Sequence, residues 1–283
     1  MNELIRLAEL KTREYREKFK DLSAEEEQEI VEYDIAGVVI RRRRIVSDLI
    51  IYQSQLDTSK MSEYRNVRSV DGVAVTKRDE RLVDLFGQLA KADAVKKELE
   101  RINRESARYD LRFRSNGFTL NEGMLLAENL RSAFKFTAAG REQINGRDVI
   151  VVQYQQIAPS LGISYKLNSL PKQLKGAETR YRGRLWLDAE TAQLWREEQE
   201  NTIEHPSLRQ PLVFARFELE YANSKFGILT PQRIVFNAFT HAQRKVDNTH
   251  ELRLGGKVTS RYSGFTRFDV SSPDASIDLP TKP

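Results

Sequence analysis

The stretch Val213-Phe214-Ala215-Arg216-Phe217-Glu218-Leu219-Glu220-Tyr221 changes side-chain character with a period of two. Val213, Ala215, Phe217, Leu219 and Tyr221 fall on one face of an extended chain, and Arg216, Glu218 and Glu220 fall on the other. A strand with one apolar and one wet face belongs in an antiparallel sheet, because parallel strands are buried on both faces and read as continuous apolar runs. Working outward, the sequence predicts further strands over 180–187, 193–203, 232–241, 251–254 and 257–268, joined by short turns with no regularly intervening helix. Ahead of them, arms over 134–142 and 147–155 meet at Asn145-Gly146, a strong two-residue hairpin signal.

The first part of the chain is mixed. Leu4, Ile5, Ala8, Tyr15, Phe19 and Leu22 recur at steps of three and four, which predicts an amphipathic helix ending near Asp21. Over 25–55, Val38-Val39-Ile40 and Ile45-Val46 flank charged runs, and Gly37 marks the turn of a hairpin between an acidic and a basic strand. Asp71-Gly72 marks a second turn within 64–75. A helical run capped by Asp79 follows, with Leu82, Phe86, Leu89, Val95, Leu99 and Ile102 on one face, and a further helical stretch covers 121–131. The reading is one α+β domain over 1–270: helix plus strands 1–78, a helical insertion 79–131 and the main antiparallel sheet 132–270. It places two or three helices on one face of that sheet. The tail 271–283, rich in Ser, Pro and Asp, is expected to be disordered.

Composition excludes more than it names. At 283 residues with 40% hydrophobic and 31% charged residues, the chain builds a core without staples. It has no cysteine, which removes disulfides, thiolate metal sites and a cysteine nucleophile. The balance of 46 basic to 41 acidic residues gives +5, spread along the chain without the clustered charge and stacking aromatics of a nucleic-acid binder. No apolar run reaches the roughly 18 to 20 residues of a membrane span. Met1-Asn2-Glu3-Leu4-Ile5-Arg6 does not read as a signal peptide.

Sequence motifs for phosphate loops, dinucleotide folds, zincins, nucleophile elbows and calcium loops are absent, so no catalytic residue, metal ligand or cofactor is assigned. His241 and His250 are expected across a surface hairpin without a third ligand, and His205 in a loop. Glu25-Glu26-Glu27, Glu197-Glu198 and Asp188/Glu190 are read as solvated charge, since neighbouring strand residues point to opposite faces. Arg41-Arg42-Arg43-Arg44 is expected to meet Glu27, Glu29 and Glu32 across the hairpin, with Arg42 and Arg44 as candidates for an anion or headgroup site. Aromatic residues crowd the predicted strands. Phe134, Phe136, Trp186, Phe217, Leu219, Tyr221 and Phe236 are the candidates to line an apolar cavity in a curved sheet.

A resemblance rests on Glu63-Tyr64-Arg65-Asn66-Val67-Arg68-Ser69-Val70-Asp71-Gly72, Glu105-Ser106-Ala107-Arg108-Tyr109-Asp110 and Ile144-Asn145-Gly146-Arg147. It rests further on Gly183-Arg184-Leu185-Trp186-Leu187-Asp188-Ala189-Glu190-Thr191 with Arg196-Glu197-Glu198, and on Tyr262-Ser263-Gly264-Phe265-Thr266-Arg267-Phe268. On these residues the chain resembles uncharacterised exported bacterial proteins common in Acidobacteria, and its C-terminal half is similar to the outer-membrane lipoprotein-carrier (LolA/LolB-like) fold. The resemblance implies an open half-barrel closed by helices and a location beyond the inner membrane. It leads to a non-catalytic envelope protein holding a lipid or acyl ligand in the concavity of its sheet. The alternative is an assembly protein that engages an envelope protein partner through a sheet edge or face; an enzyme using an unidentified carboxylate pair ranks third.

Overall fold

Asp71-Gly72 and Asn145-Gly146 both carry positive φ at the two turn positions, 52° and 80° in the first and 52° and 77° in the second, the type I′ geometry that closes two-residue hairpins. A computed structural model describes residues 1–20, 22–54, 56–57, 60–89, 94–110, 119–121, 124–158, 177–206, 208, 210–243 and 250–267. It opens with helix α1 (Asn2–Lys18), followed by strands β1 (Leu22–Tyr33), β2 (Val39–Gln53), β3 (Met61–Val70) and β4 (Val73–Ala74). Helices α2 (Arg78–Leu89), α3 (Val95–Ser106) and α4 (Glu128–Arg131) come next, the last preceded by 3₁₀ turns at Thr119–Asn121 and Met124–Leu126. Strands β5 (Phe134–Ile144), β6 (Arg147–Gln156), β7 (Glu178–Asp188), β8 (Leu194–Glu204), β9 (Leu212–Asn223), β10 (Leu229–Gln243) and β11 (His250–Arg267) complete the chain.

All eleven strands join one open, curved antiparallel sheet in the order β4-β3-β2-β1-β11-β10-β9-β8-β7-β6-β5. Consecutive strands are neighbours in every case except β4 and β5, which form the two opposite edges and are joined through the helical segment. Strand β11, which follows its neighbour β10, also pairs with β1 through a register running from Leu22–Arg267 to Glu32–Gly256 and so stitches the two halves together. The expected α+β class with one large antiparallel sheet is therefore the fold.

The two faces of the sheet differ along its length. On the first, α1 lays Ile5, Ala8, Tyr15 and Phe19 against Leu22, Leu49 and Ile51, together with Leu125, Leu126 and Leu130 and the strand residues Leu219 and Tyr221. Tyr15 stacks on Phe19 at 4.6 Å and meets Tyr221 edge-on at 6.4 Å. On the other face, at the β2–β3 end, α2 and α3 cover Ile50, Tyr52 and Tyr64 with Leu82, Leu85 and Ile102. The N-terminal helix α1 thus lies on one face, and α2 and α3 pack together on the other. The physical reason is that β2 over 47–52 and β3 over 62–67 are buried continuously, so both of their faces need cover there.

Other boundaries also differ. Helix α1 stops at Lys18: Phe19, fully buried, makes the last i→i−4 bond, to the Tyr15 carbonyl, and leaves helical geometry with ψ 24°; Asp21 lies outside the described residues. The run after Asp79 is two helices, and Asp79 sits inside the first turn of α2 and not at its cap. Leu85 joins the core from α2, while the side chains of Phe86 and Leu89 lie outside the described residues. The stretch over 121–131 is broken into 3₁₀ turns and one turn of α-helix. Strands expected over 251–254 and 257–268 form one strand, β11, whose register shifts opposite Ala238/Phe239 at Gly255, where a Cβ would meet the Thr240 side chain at 2.9 Å. The tail over 271–283 lies outside the described residues.

Candidate functional site

Residues paired directly across antiparallel strands point to the same face, so the registers give the content of each face row by row. One row runs Gln155, Arg182, Glu200, Arg216 and Asn237; the next runs Gln153, Arg184, Glu198, Glu218 and Val235; a third runs Val151, Trp186, Arg196, Glu220 and Arg233. The face opposite α1 is therefore an arginine–glutamate ladder across β6 to β10. Glu200 accepts from Arg182 Nε at 2.8 Å and from Arg216 Nε at 2.6 Å. Glu198 accepts from Arg184 Nη2 at 2.6 Å and Arg196 Nη2 at 2.5 Å, and Arg233 reaches Glu220 at 3.2 Å. Burial pushes the Glu200 carboxyl up, but the hydrogen bonds from Arg182 and Arg216 outweigh it and hold the group below the usual carboxylate value.

Over this ladder lies a half-open trough of about 500 Å3. Arg182, Arg184, Arg216, Glu198, Glu200 and Glu218 line it, with Gln153 at its rim and Gly183, Gln199 and Phe217 beneath. Gly183, which shares a row with Tyr154 on the α1 face, leaves room there for the phenol, whose hydroxyl donates to the Glu198 carbonyl at 3.2 Å. Burial first, and the neighbouring Glu197 carboxylate next, push the Tyr154 phenol far above its usual value, so it stays protonated as a donor.

The apolar candidates are placed differently. Phe134, Phe217, Leu219 and Tyr221 are all buried on the α1 face within the main core, and Trp186 is buried as well. Trp186 projects on the charged face. Its ring lies between the Arg184 and Arg196 guanidinium groups at 5.0 and 4.7 Å, and its Nε1 donates to Glu142 at 2.8 Å. Phe136 and Phe236 are half-buried at the ends of the row Phe136, Tyr154, Gly183, Gln199, Phe217 and Phe236, where the last two rings stand 4.7 Å apart. Arg42 and Arg44 lie on the charged face beside Glu29 at 3.5 Å and Glu27 at 2.8 Å.

Three acidic residues read as solvated are buried. Glu26 and Glu63 share Arg65: its Nε donates to Glu26 at 2.5 Å and its Nη2 donates to Glu63 at 2.9 Å, with all three side chains at 1% exposure or less. Glu63 also accepts from the Thr119 N–H and hydroxyl, both at 2.6 Å. Asp188 closes the β7–β8 turn through the N–H groups of Glu190 and Thr191 and takes the Trp195 Nε1–H. Glu197 is buried beside Tyr154. Solvation fails as an account here because these carboxylates point into the core, where each is met by a guanidinium, hydroxyl, indole or amide donor. The Glu26–Glu63 pair converges on an arginine with no opening to substrate. His241 lies opposite Leu252 and His250 opposite Gln243, and no cluster of three metal-binding side chains exists among the described residues.

The ladder was visible in principle, since Arg180, Arg182 and Arg184 repeat with period two, as do Glu198 and Glu200, and Glu218 and Glu220. Pairing them required the registers.

No family model matches the chain, and no curated protein matches it. Among solved structures, it is similar to a DUF1329 family protein from Desulfovibrio piger, at 12% identity and TM-score 0.37 over 97% of this chain and 95% of that one. It is similar to a putative outer membrane lipoprotein-sorting protein domain from Vibrio parahaemolyticus, at 12% identity and TM-score 0.33 over 94% and 95%. A LolA superfamily protein from Nitrosomonas europaea follows at 11% identity and TM-score 0.29 over 92% and 94%.

Proposed function

We propose that this chain is a non-catalytic envelope protein that seats an extended, mixed-charge polypeptide segment in the arginine- and glutamate-lined trough of its open sheet. The observation that carries this reading is the composition of the trough: three arginines and three glutamates surround about 500 Å3 of open space, whereas most of the apolar candidates are core. Partly exposed ion pairs are each worth only about 0–1 kcal/mol, so they exchange for a partner's charges at small cost. A polypeptide carrying both signs satisfies both halves of the ladder. The envelope location is supported by the sequence resemblance to exported proteins, and cell fractionation tests it. Among the described residues no helix is long and apolar enough to cross a membrane.

A second reading, an acyl chain against the α1 face, is favoured by the half-buried Phe136 and Phe236 alone. Native mass spectrometry after gentle purification, followed by organic extraction, separates the two. A stoichiometric acyl species supports the second reading and contradicts the first. A bare mass, with a charge-reversed Arg184→Glu/Arg216→Glu variant losing a peptide partner held by the unaltered protein, supports the first.

A further inference from the structure

The β1–β2 hairpin ends in Ile35-Ala36-Gly37-Val38-Val39-Ile40, and four of these six side chains are large, apolar and in water. Ile35 is 67% exposed, Val38 60%, Val39 44% and Ile40 57%. The tip is built, not frayed. Asp34 Oδ1 accepts the N–H groups of Ala36 and Val38, both at 2.8 Å, Gly37 supplies a φ of 82°, and Arg253 donates to the Ile35 carbonyl. The tip stands clear on one side, where β2 pairs with β3 only from Ile45 onward and Val39 to Arg44 lie beyond the end of β3; on its other side β11 runs alongside it from Gly256 to His250.

Arg41, Arg42, Arg43 and Arg44 follow the apolar residues directly, within about 13 Å along an extended strand. Glu29 and Glu27 stand beside Arg42 and Arg44, which still expose 65% and 62% of their side chains. Asp71 lies 3.7 Å from Arg43, and Arg41 is exposed with no ion pair among the described residues. The only acid in the turn itself, Asp34, has its Oδ1 engaged by the turn's N–H groups.

We propose that this hairpin tip docks on an anionic lipid surface, inserting Ile35, Val38, Val39 and Ile40 at the headgroup boundary while the arginine stem meets lipid phosphates. Exposed apolar side chains at an ordered turn, backed by cations, suit the interface between headgroups and acyl chains. A protein partner fits less well, because a specific interface buries about 1,200 Å2 or more in total and a two-stranded tip offers little of that. The proposal is independent of the trough and of what occupies it.

The test is flotation of the full chain with vesicles of 30% phosphatidylglycerol in phosphatidylethanolamine, against vesicles of phosphatidylcholine. The expected result is binding to the anionic vesicles, weakened at least tenfold by Val38→Asp/Ile40→Asp, and loss of the anionic preference in Arg41→Glu/Arg42→Glu. All four positions are exposed, so unchanged thermal unfolding separates loss of binding from loss of fold. An Ile40→Trp variant supplies an emission that shifts blue on vesicles, over the constant background of buried Trp186 and Trp195. Absence of flotation overturns the proposal, as does an unaffected Val38→Asp/Ile40→Asp variant. A blue shift that grows with protein concentration and without vesicles marks a second copy as the occupant and overturns it too.

Discussion

Tyr154 closes over Gly183 from the neighbouring strand so tightly that a Cβ at Gly183 would stand 2.6 Å from the phenol oxygen and 1.9 Å from the Glu198 carbonyl. The glycine is a packing requirement of the sheet on β7, directly beneath the trough. Gly183→Ala is therefore expected to lose about 1–3 kcal/mol of stability, the cost of forcing extra volume into a closed site. Urea unfolding of the variant checks this. Stability equal to the unaltered protein would show that Tyr154 and the β8 backbone at Glu198 both yield freely.

Arg65 holds two buried carboxylates at once. Replacing it as Arg65→Met leaves Glu26 and Glu63 facing each other in the core, an arrangement expected to cost about 3–5 kcal/mol. Adding Glu26→Gln to that background removes one of the two charges and is expected to recover part of the loss. The two unfolding midpoints, compared, measure the coupling; additive losses would contradict it.

Acid sensitivity follows from the carboxylates that hold hydrogen bonds in the folded chain. Glu200, Glu27 and Glu14 are each held below the usual 4.5 by hydrogen bonds from arginine or lysine, and Asp188 below 3.8 by turn amides, in every case against burial. A carboxyl whose folded value is depressed contributes stability above its unfolded value and loses it as pH falls toward the folded one. Thermal stability is thus expected to hold from pH 8 to pH 5 and to fall below about 4.5. Glu200→Gln, which cannot titrate, is expected to be less stable at pH 7 but to show a shallower acid slope. An acid slope identical to that of the unaltered protein would remove Glu200 from the account.

The fold was largely legible because alternation and turn chemistry are local. Val213 to Tyr221, the two type I′ turns and the Asp34–Gly37 turn each announce a strand pair within a dozen residues. The stitching of β1 to β11 was not, since no local signal links Glu26 to Tyr262 across the whole chain. The same gap hid the buried acids. Glu25, Glu26 and Glu27 look alike in sequence, and only the arrival of Arg65 from β3 makes the middle one a core residue. For the aromatic candidates, periodicity shows that Phe217 and Tyr221 face inward but not that α1 fills the space against Tyr221. Trp186 has the parity of Arg184, and so lies on the charged face.

Trp186 offers a local probe of that face. Removing the Glu142 acceptor by Glu142→Ala leaves a buried indole N–H without its partner and is expected to cost about 1–3 kcal/mol. Intrinsic fluorescence and urea unfolding report the change together; no loss would show that the indole finds water instead.

The central claim is that the trough receives a polypeptide. A photo-crosslinking amino acid placed at Gln153, on its rim, tests this in the native cell envelope, with Lys96 on α3 as the control position. The expected result is a discrete protein adduct from position 153, absent from position 96 and abolished by Arg184→Glu/Arg216→Glu at unchanged thermal stability. Equal labelling from both positions, or an adduct untouched by the charge reversal, would contradict it.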